Sequence, residues 1–93
     1  MNEMELLVKF MEAAKEDARI GMSHISLYAA LITLPVIRRE TPLCVFAKDV
    51  MPYCKLYSKA TYNRTLRQLH EFGYIRYLPS YNHFLGSLIY LEF

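Results

Sequence analysis

Apolar and polar positions change period along the chain. Over residues 3–18, EMELLVKFMEAAKEDA, Met4, Leu7, Val8, Met11 and Ala14 recur three and four apart, while Glu3, Glu5, Lys9, Glu12 and Glu16 fall elsewhere. That spacing predicts an amphipathic helix, which Gly21 ends or interrupts. Ser23 stands as an N-cap ahead of a second helix, HISLYAALITL. This one is apolar on most sides, which places it in the core. Pro35 bends or ends it, and RRETP closes the unit as a polar turn. LCVF predicts a small strand and AKDVMPYCK a short helix. Pro52 is awkward there, because it lacks an amide donor and disfavours helical geometry at Met51. That helix is expected to end early or to tighten into a 3₁₀ turn.

KLYS leads into a further helix. Ser58 caps it, it runs to about Phe72, and Gly73 suits the left-handed position just past its end. The period then drops to two. YIRYL and SLIYLEF read as strands rich in Tyr, Ile and Leu. PSYNHFLG between them holds Pro79, Asn82 and Gly86, which are turn residues. The expected order is helix, helix, short strand, helix, helix, strand, strand, with the last two strands forming a hairpin with a long tip.

On the helix from Ser58, Tyr62, Leu66 and Leu69 fall within about 60° of one another and form the buried stripe. Thr65 and Phe72 flank it. Ala60, Arg64, Arg67 and Glu71 point the opposite way, Thr61, Asn63 and Gln68 sit at the edges of that outer face, and Lys59 lies in the first turn. Arg suits paired contacts with guanine edges and phosphates, and Asn or Gln suits adenine. Ala60 and Thr61 are small enough for close approach to a groove, and the amides at the helix start can receive a phosphate. Exposed Arg, Lys and Gln on a helix are most often a solvated face and nothing more. The surrounding order favours the specific reading: a short helix, a turn, this helix and a hairpin make the arrangement of a winged helix-turn-helix.

Composition adds one refinement. The chain has 93 residues, 54% apolar and 22% charged, which fits one folded domain. Its net charge of +2 is uninformative, but the charge is segregated. Residues 1–18 hold five acids and two bases, whereas residues 55–76 hold five bases (Lys55, Lys59, Arg64, Arg67, Arg76) against Glu71. The average hides a local basic patch. The acidic start does not resemble a signal peptide, and ISLYAALITLPVI is far short of the roughly 20 residues that span a bilayer, so a cytoplasmic protein is expected.

Other chemistry finds little support. Cys44 and Cys54 match neither a redox pair nor a zinc half-site, and read as small buried residues. His24, His70 and His83 are far apart and match no metal motif, and no Gly-rich phosphate loop is present. The many Tyr invite comparison with a DNA-nicking nucleophile. Such an enzyme also needs a His cluster for metal or a set of catalytic Arg residues, for which the chain has no space. Neither enzymatic activity nor a cofactor or small-molecule ligand is expected.

The string SKATYNRTLRQLHEFGYIRY resembles the recognition segment of winged-helix regulators of the multiple-antibiotic-resistance type, at Ser58, Thr61, Tyr62, Arg64, Leu66, Leu69, Gly73, Tyr74 and Ile75. The longer TYNRTLRQLHEFGYIRYLPSYNHFLGS is similar to small winged-helix proteins of Bacteroidetes genomes and conjugative elements. The resemblance covers residues 23–93 and not residues 1–20. It implies a winged helix-turn-helix over 21–93; with the N-terminal helix that the hydrophobic period predicts within 1–20, the expected fold is mainly α with a small β-hairpin. It further implies sequence-specific binding of double-stranded DNA by a small transcriptional or mobile-element regulator. The helix over 58–72 would enter the major groove, with 74–93 as the wing. The expected DNA contacts are Ser58, Lys59, Ala60, Thr61, Asn63, Arg64, Arg67, Gln68 and Arg76.

Three departures stand against that pattern: Pro52 before the turn, a wing tip from Ser80 to Gly86 without Arg or Lys, and the apolar Tyr81 and Phe84 in that tip. They leave open a rival reading, a winged helix that assembles with protein through Tyr81, Phe84 and the outer helix face. The N-terminal stripe of Met4, Leu7, Val8 and Met11 must also be covered. Pairing with the same helix of a second copy is favoured over folding back, because regulators that read two half-sites gain from a two-fold dimer.

Overall fold

The computed structural model describes residues 2–38, 43–80 and 86–91. The elements are α1 (Glu3–Lys15), α2 (Met22–Arg38), β1 (Leu43–Val45), α3 (Ala47–Cys54), α4 (Lys59–Glu71), β2 (Arg76–Leu78) and β3 (Ser87–Tyr90). The three strands form one antiparallel sheet in the order β1-β3-β2, with Ile89 opposite Leu43 on one side and Tyr77 on the other. The fold is mainly α with a small β-hairpin, a winged helix-turn-helix with an added N-terminal helix. The element order is the one that the hydrophobic pattern predicts.

α1 begins with a reciprocal cap. The Asn2 side chain accepts from the Glu5 amide at 2.8 Å and donates to the Glu5 carboxylate at 3.3 Å. The helix stops at Lys15 rather than at residue 18. Just beyond its end, the Asp17 carboxylate takes the Arg19 amide at 3.0 Å, a local side-chain bond that competes with helix propagation. Its buried face also differs from the expected one. Phe10 is fully buried, with Leu6, Leu7, Ala13 and Ala14 packed around it, whereas Met4, Val8 and Met11 are exposed. The Phe10 ring decides the rotation: it stacks on Tyr28 with centroids 3.9 Å apart and meets Tyr74 edge-on at 5.2 Å. α1 therefore folds back on its own chain and still leaves one apolar stripe open.

α2 starts at Met22, so Ser23 lies inside its first turn and is not the cap. The helix start is tied by Gly21 and His24 instead. Gly21 donates its amide to His24 Nδ1 at 3.0 Å, and its carbonyl accepts from Ile25 at 3.2 Å. Pro35 lies inside the helix, which continues to Arg38. Packing overrides the missing donor, since Leu27, Tyr28, Leu31 and Leu34 are at most 2% exposed. Residues 39–42 of the expected polar turn lie outside the described residues.

α3 likewise carries Pro52 and stays helical to Cys54. It ends at Lys55, which takes a left-handed conformation, φ 62°. The Ser26 hydroxyl donates to the Cys54 carbonyl and ties this end to α2. Cys54 is buried as expected, and Cys44 only half-buried. Ser58 caps α4 by accepting from the Thr61 amide at 3.3 Å. At the other end the Tyr74 amide reaches the Leu69 carbonyl at 2.9 Å and the Gly73 amide the His70 carbonyl at 3.1 Å. Gly73 adopts φ 88°, as the position just past the helix requires. The strands are shorter than YIRYL and SLIYLEF suggest. Tyr74 and Ile75 turn into the core instead of pairing. The tip residues Tyr81 and Phe84 lie outside the described residues.

Candidate nucleic-acid interface

The inner face of α4 is fixed before its outer face means anything. Tyr62, Thr65, Leu66 and Leu69 are each at most 2% exposed, against α2 and the rest of the core. Burial pushes the Tyr62 phenol above its ordinary range, which keeps it neutral. With that stripe buried, Ala60, Arg64, Arg67 and Glu71 project outward and are exposed. The helix wheel thus assigns both faces correctly. The hairpin is held to the same helix, because the Tyr77 amide donates to His70 Nδ1 at 3.1 Å.

An open groove of about 890 Å³ runs between α4, the β1–α3 junction and the hairpin. Lys59, Asn63, Arg67 and His70 line its α4 wall, Phe46 and Lys48 a second, and Tyr77, Pro79 and Ser80 the hairpin side. Of the expected contacts, Lys59, Asn63 and Arg67 are therefore brought together in the groove. Ala60 and Arg64 stand exposed on the outer face beside it. Ser58 and Thr61 sit at the helix start, where the Ser58 hydroxyl is engaged by the Thr61 amide. Arg76 is exposed on β2, with its guanidinium 4.7 Å from the Tyr90 ring centroid.

Gln68 is placed differently from its neighbours. It is half-buried, and its Oε1 lies 2.8 Å from His24 Nε2. His24 Nδ1 already accepts from Gly21, so the ring proton sits on Nε2 and is donated to Gln68. This amide oxygen is occupied inside the protein. The partner lies 44 residues away in sequence, beyond any local pattern.

The basic stretch of the chain is longer than the helix alone. Over residues 47–78, Lys48, Lys55, Lys59, Arg64, Arg67 and Arg76 face two acids, Asp49 and Glu71. Tyr53 and Tyr57 are exposed in the same region. Sequence reasoning centred on α4 counts Lys55 in the basic patch but not among the DNA contacts, and omits Lys48, Tyr53 and Tyr57. The available signal is the alternation in YCKLYSK, residues 53–59. Among the described residues no cluster of His, Cys, Asp or Glu could hold a metal ion, and no helix is long and apolar enough to cross a membrane. No family model, curated protein or solved structure matches this chain.

Proposed function

We propose that this chain binds double-stranded DNA at specific sequences, as a small transcriptional or mobile-element regulator, with α4 in the major groove. The observation that carries the reading is the pair Arg64 and Arg67, exposed on a helix whose opposite face is locked into the core. A guanidinium carried on such a helix offers two parallel donors to the guanine edge or to phosphate. Asn63 stands at the groove edge of the same helix and supplies an adenine-reading amide. Arg76 on the hairpin supplies a phosphate contact.

A second copy of the chain is the proposed protein partner, through the α1 stripe of Met4, Val8 and Met11. That stripe exposes on the order of a few hundred Å², an extent that monomers tolerate. It is well short of the roughly 800 Å² per partner of a standard interface. Pairing through it is therefore weak in free solution and forms when two half-sites on DNA hold the copies together.

A rival reading is a winged helix used for protein assembly, favoured by the exposed Phe46 and Leu78 near the hairpin. Mobility shifts of the full chain on random duplex across a salt series separate the two. Binding through several phosphates weakens steeply as salt rises, with a slope of about −0.9 per phosphate contact on a log–log plot. Absence of duplex binding at low salt overturns the DNA reading and leaves the assembly reading.

A further inference from the structure

The stretch from the end of α3 to the first residue of α4 alternates in a way that the fold does not require. In YCKLYSK, Cys54 is buried and Leu56 packs against the core, while Tyr53, Lys55, Tyr57 and Lys59 are exposed. Tyr57 is 74% exposed and Tyr53 52%. Among the described residues none of these four side chains makes a hydrogen bond or an ion pair, so their removal costs the fold little. Lys55 sits at φ 62°, a left-handed position that Gly or Asn fills with less strain. The stretch thus presents aromatic and cationic groups in alternation up to and across the Ser58 cap of α4.

We infer that this turn is a second DNA contact, which grips the sugar–phosphate backbone at the rim of the major groove without reading bases. The inference rests on the reading of α4 as the groove helix. A helix that contacts base edges with its N-terminal half carries the preceding turn toward the phosphates bordering the groove. Lys55 and Lys59 supply point charges for those phosphates, and a Tyr hydroxyl donates to a phosphate oxygen. The charge fits this occupant, with no acid in the stretch from Tyr53 to Gln68. Lys55 and Tyr57 precede α4 and stand outside its helical turns, so they fix position and leave sequence choice to the helix.

The test uses the full chain and its Lys55→Gln, Tyr57→Phe and Tyr57→Ala variants, with a duplex carrying the selected site, a random duplex and the corresponding single strand. Lys55→Gln is expected to lower the salt slope by about one. It should weaken selected and random duplex by the same factor, leaving their ratio unchanged. Tyr57→Phe loses affinity several-fold on both, Tyr57→Ala loses more, and the melting temperatures match the parent. A parent that binds duplex while all three variants equal it overturns the inference and leaves the α4 reading standing. A changed ratio of selected to random affinity makes the turn a base reader and overturns it also. Tighter binding of the single strand than of duplex, abolished by Tyr57→Ala, replaces the backbone grip with a stacking platform. A parent that binds no DNA removes the α4 reading itself, and this inference with it.

Discussion

The phenol of Tyr74 donates a 2.7 Å hydrogen bond to the carboxylate of Asp17, 57 residues earlier in the chain. The same carboxylate receives the Arg19 guanidinium through Nε at 2.9 Å and Nη2 at 2.8 Å. That guanidinium in turn lies 4.2 Å from the Phe72 ring centroid. The link between α1 and α2 is thereby fastened to the end of α4 and the start of the hairpin. The Arg19 hydrogen bonds, and after them the Tyr74 phenol, hold the Asp17 carboxyl well below the usual carboxylate range. Burial and the bond to Asp17 push the Tyr74 phenol up.

Asp17→Asn tests this junction through its pH dependence. A depressed carboxyl stabilises the fold fully above the ordinary Asp value near 4, and the contribution is lost as pH falls through the lower folded value. The variant is therefore expected to melt below the parent at pH 7, with the gap closing as pH drops from about 4 toward 2. Thermal scans of both proteins over that range check it. A gap that stays constant with pH means that the charge of Asp17 is not what holds the junction.

Leu66→Ala and Leu69→Ala each remove a side chain at most 1% exposed from the stripe that orients α4. A loss of about 2–5 kcal/mol is expected for each, from the lost transfer energy and the cavity left behind. Urea unfolding measures it. A loss under about half a kcal/mol would contradict the tight packing of this face.

Arg64→Ala and Arg67→Ala make the complementary pair. Both side chains are exposed, so melting temperatures are expected to stay close to the parent's. Specific binding should fall by about 1–3 kcal/mol for each arginine that reads a base. Titration on a selected site decides the assignment, and unchanged binding in both variants removes α4 from the groove.

These two experiments bear on the part of the fold that was most legible in the sequence. On α4 the 3.6-residue period, the Ser58 cap and the Gly73 stop agree, so propensity, pattern and packing give one answer. α1 was less legible because apolar residues cover two of its faces. Period alone does not choose between Leu7 with Phe10 and Met4 with Val8 and Met11, and the choice was made by Tyr28 and Tyr74. Pro35 and Pro52 misled for a related reason: local propensity is a weak prior that buried neighbours override. Gln68 was legible as an edge residue, but its partner His24 was not, since nothing local joins them.

Gly86 is a residue whose reason for being glycine lies in the sheet rather than in a turn. A β-carbon there would stand 2.8 Å from Cys44 Sγ and 2.9 Å from the Val45 carbonyl oxygen. The thiol can rotate away, but the β1 backbone cannot without disturbing its pairing with β3. Gly86→Ala is expected to destabilise the fold by about 1–3 kcal/mol, the usual range for overpacking. Urea unfolding checks it, and a neutral result would mean that β3 enters the sheet with more clearance.

The α1 stripe separates weak self-association from none. Met4 is 67% exposed, Val8 54% and Met11 43%, at the four-and-three spacing of a helix seam. Leu7 and Ala14, which also carried the amphipathic pattern, are already packed against the chain's own core. What remains is too narrow for a standing dimer, and the excess of Glu on α1 opposes self-pairing at low salt. Sedimentation of the free chain at roughly tens of micromolar is therefore expected to give a monomer, since an interface of this size supports only weak association. On a duplex with two half-sites the parent is expected to bind cooperatively. A Met4→Gln, Val8→Gln, Met11→Gln variant, which keeps good helix formers on the surface, should bind a single half-site like the parent and lose the cooperativity. A free dimer in sedimentation would mean a larger interface than this stripe. Cooperativity that survives the triple substitution would place the contact between copies on the hairpin or the body of the domain.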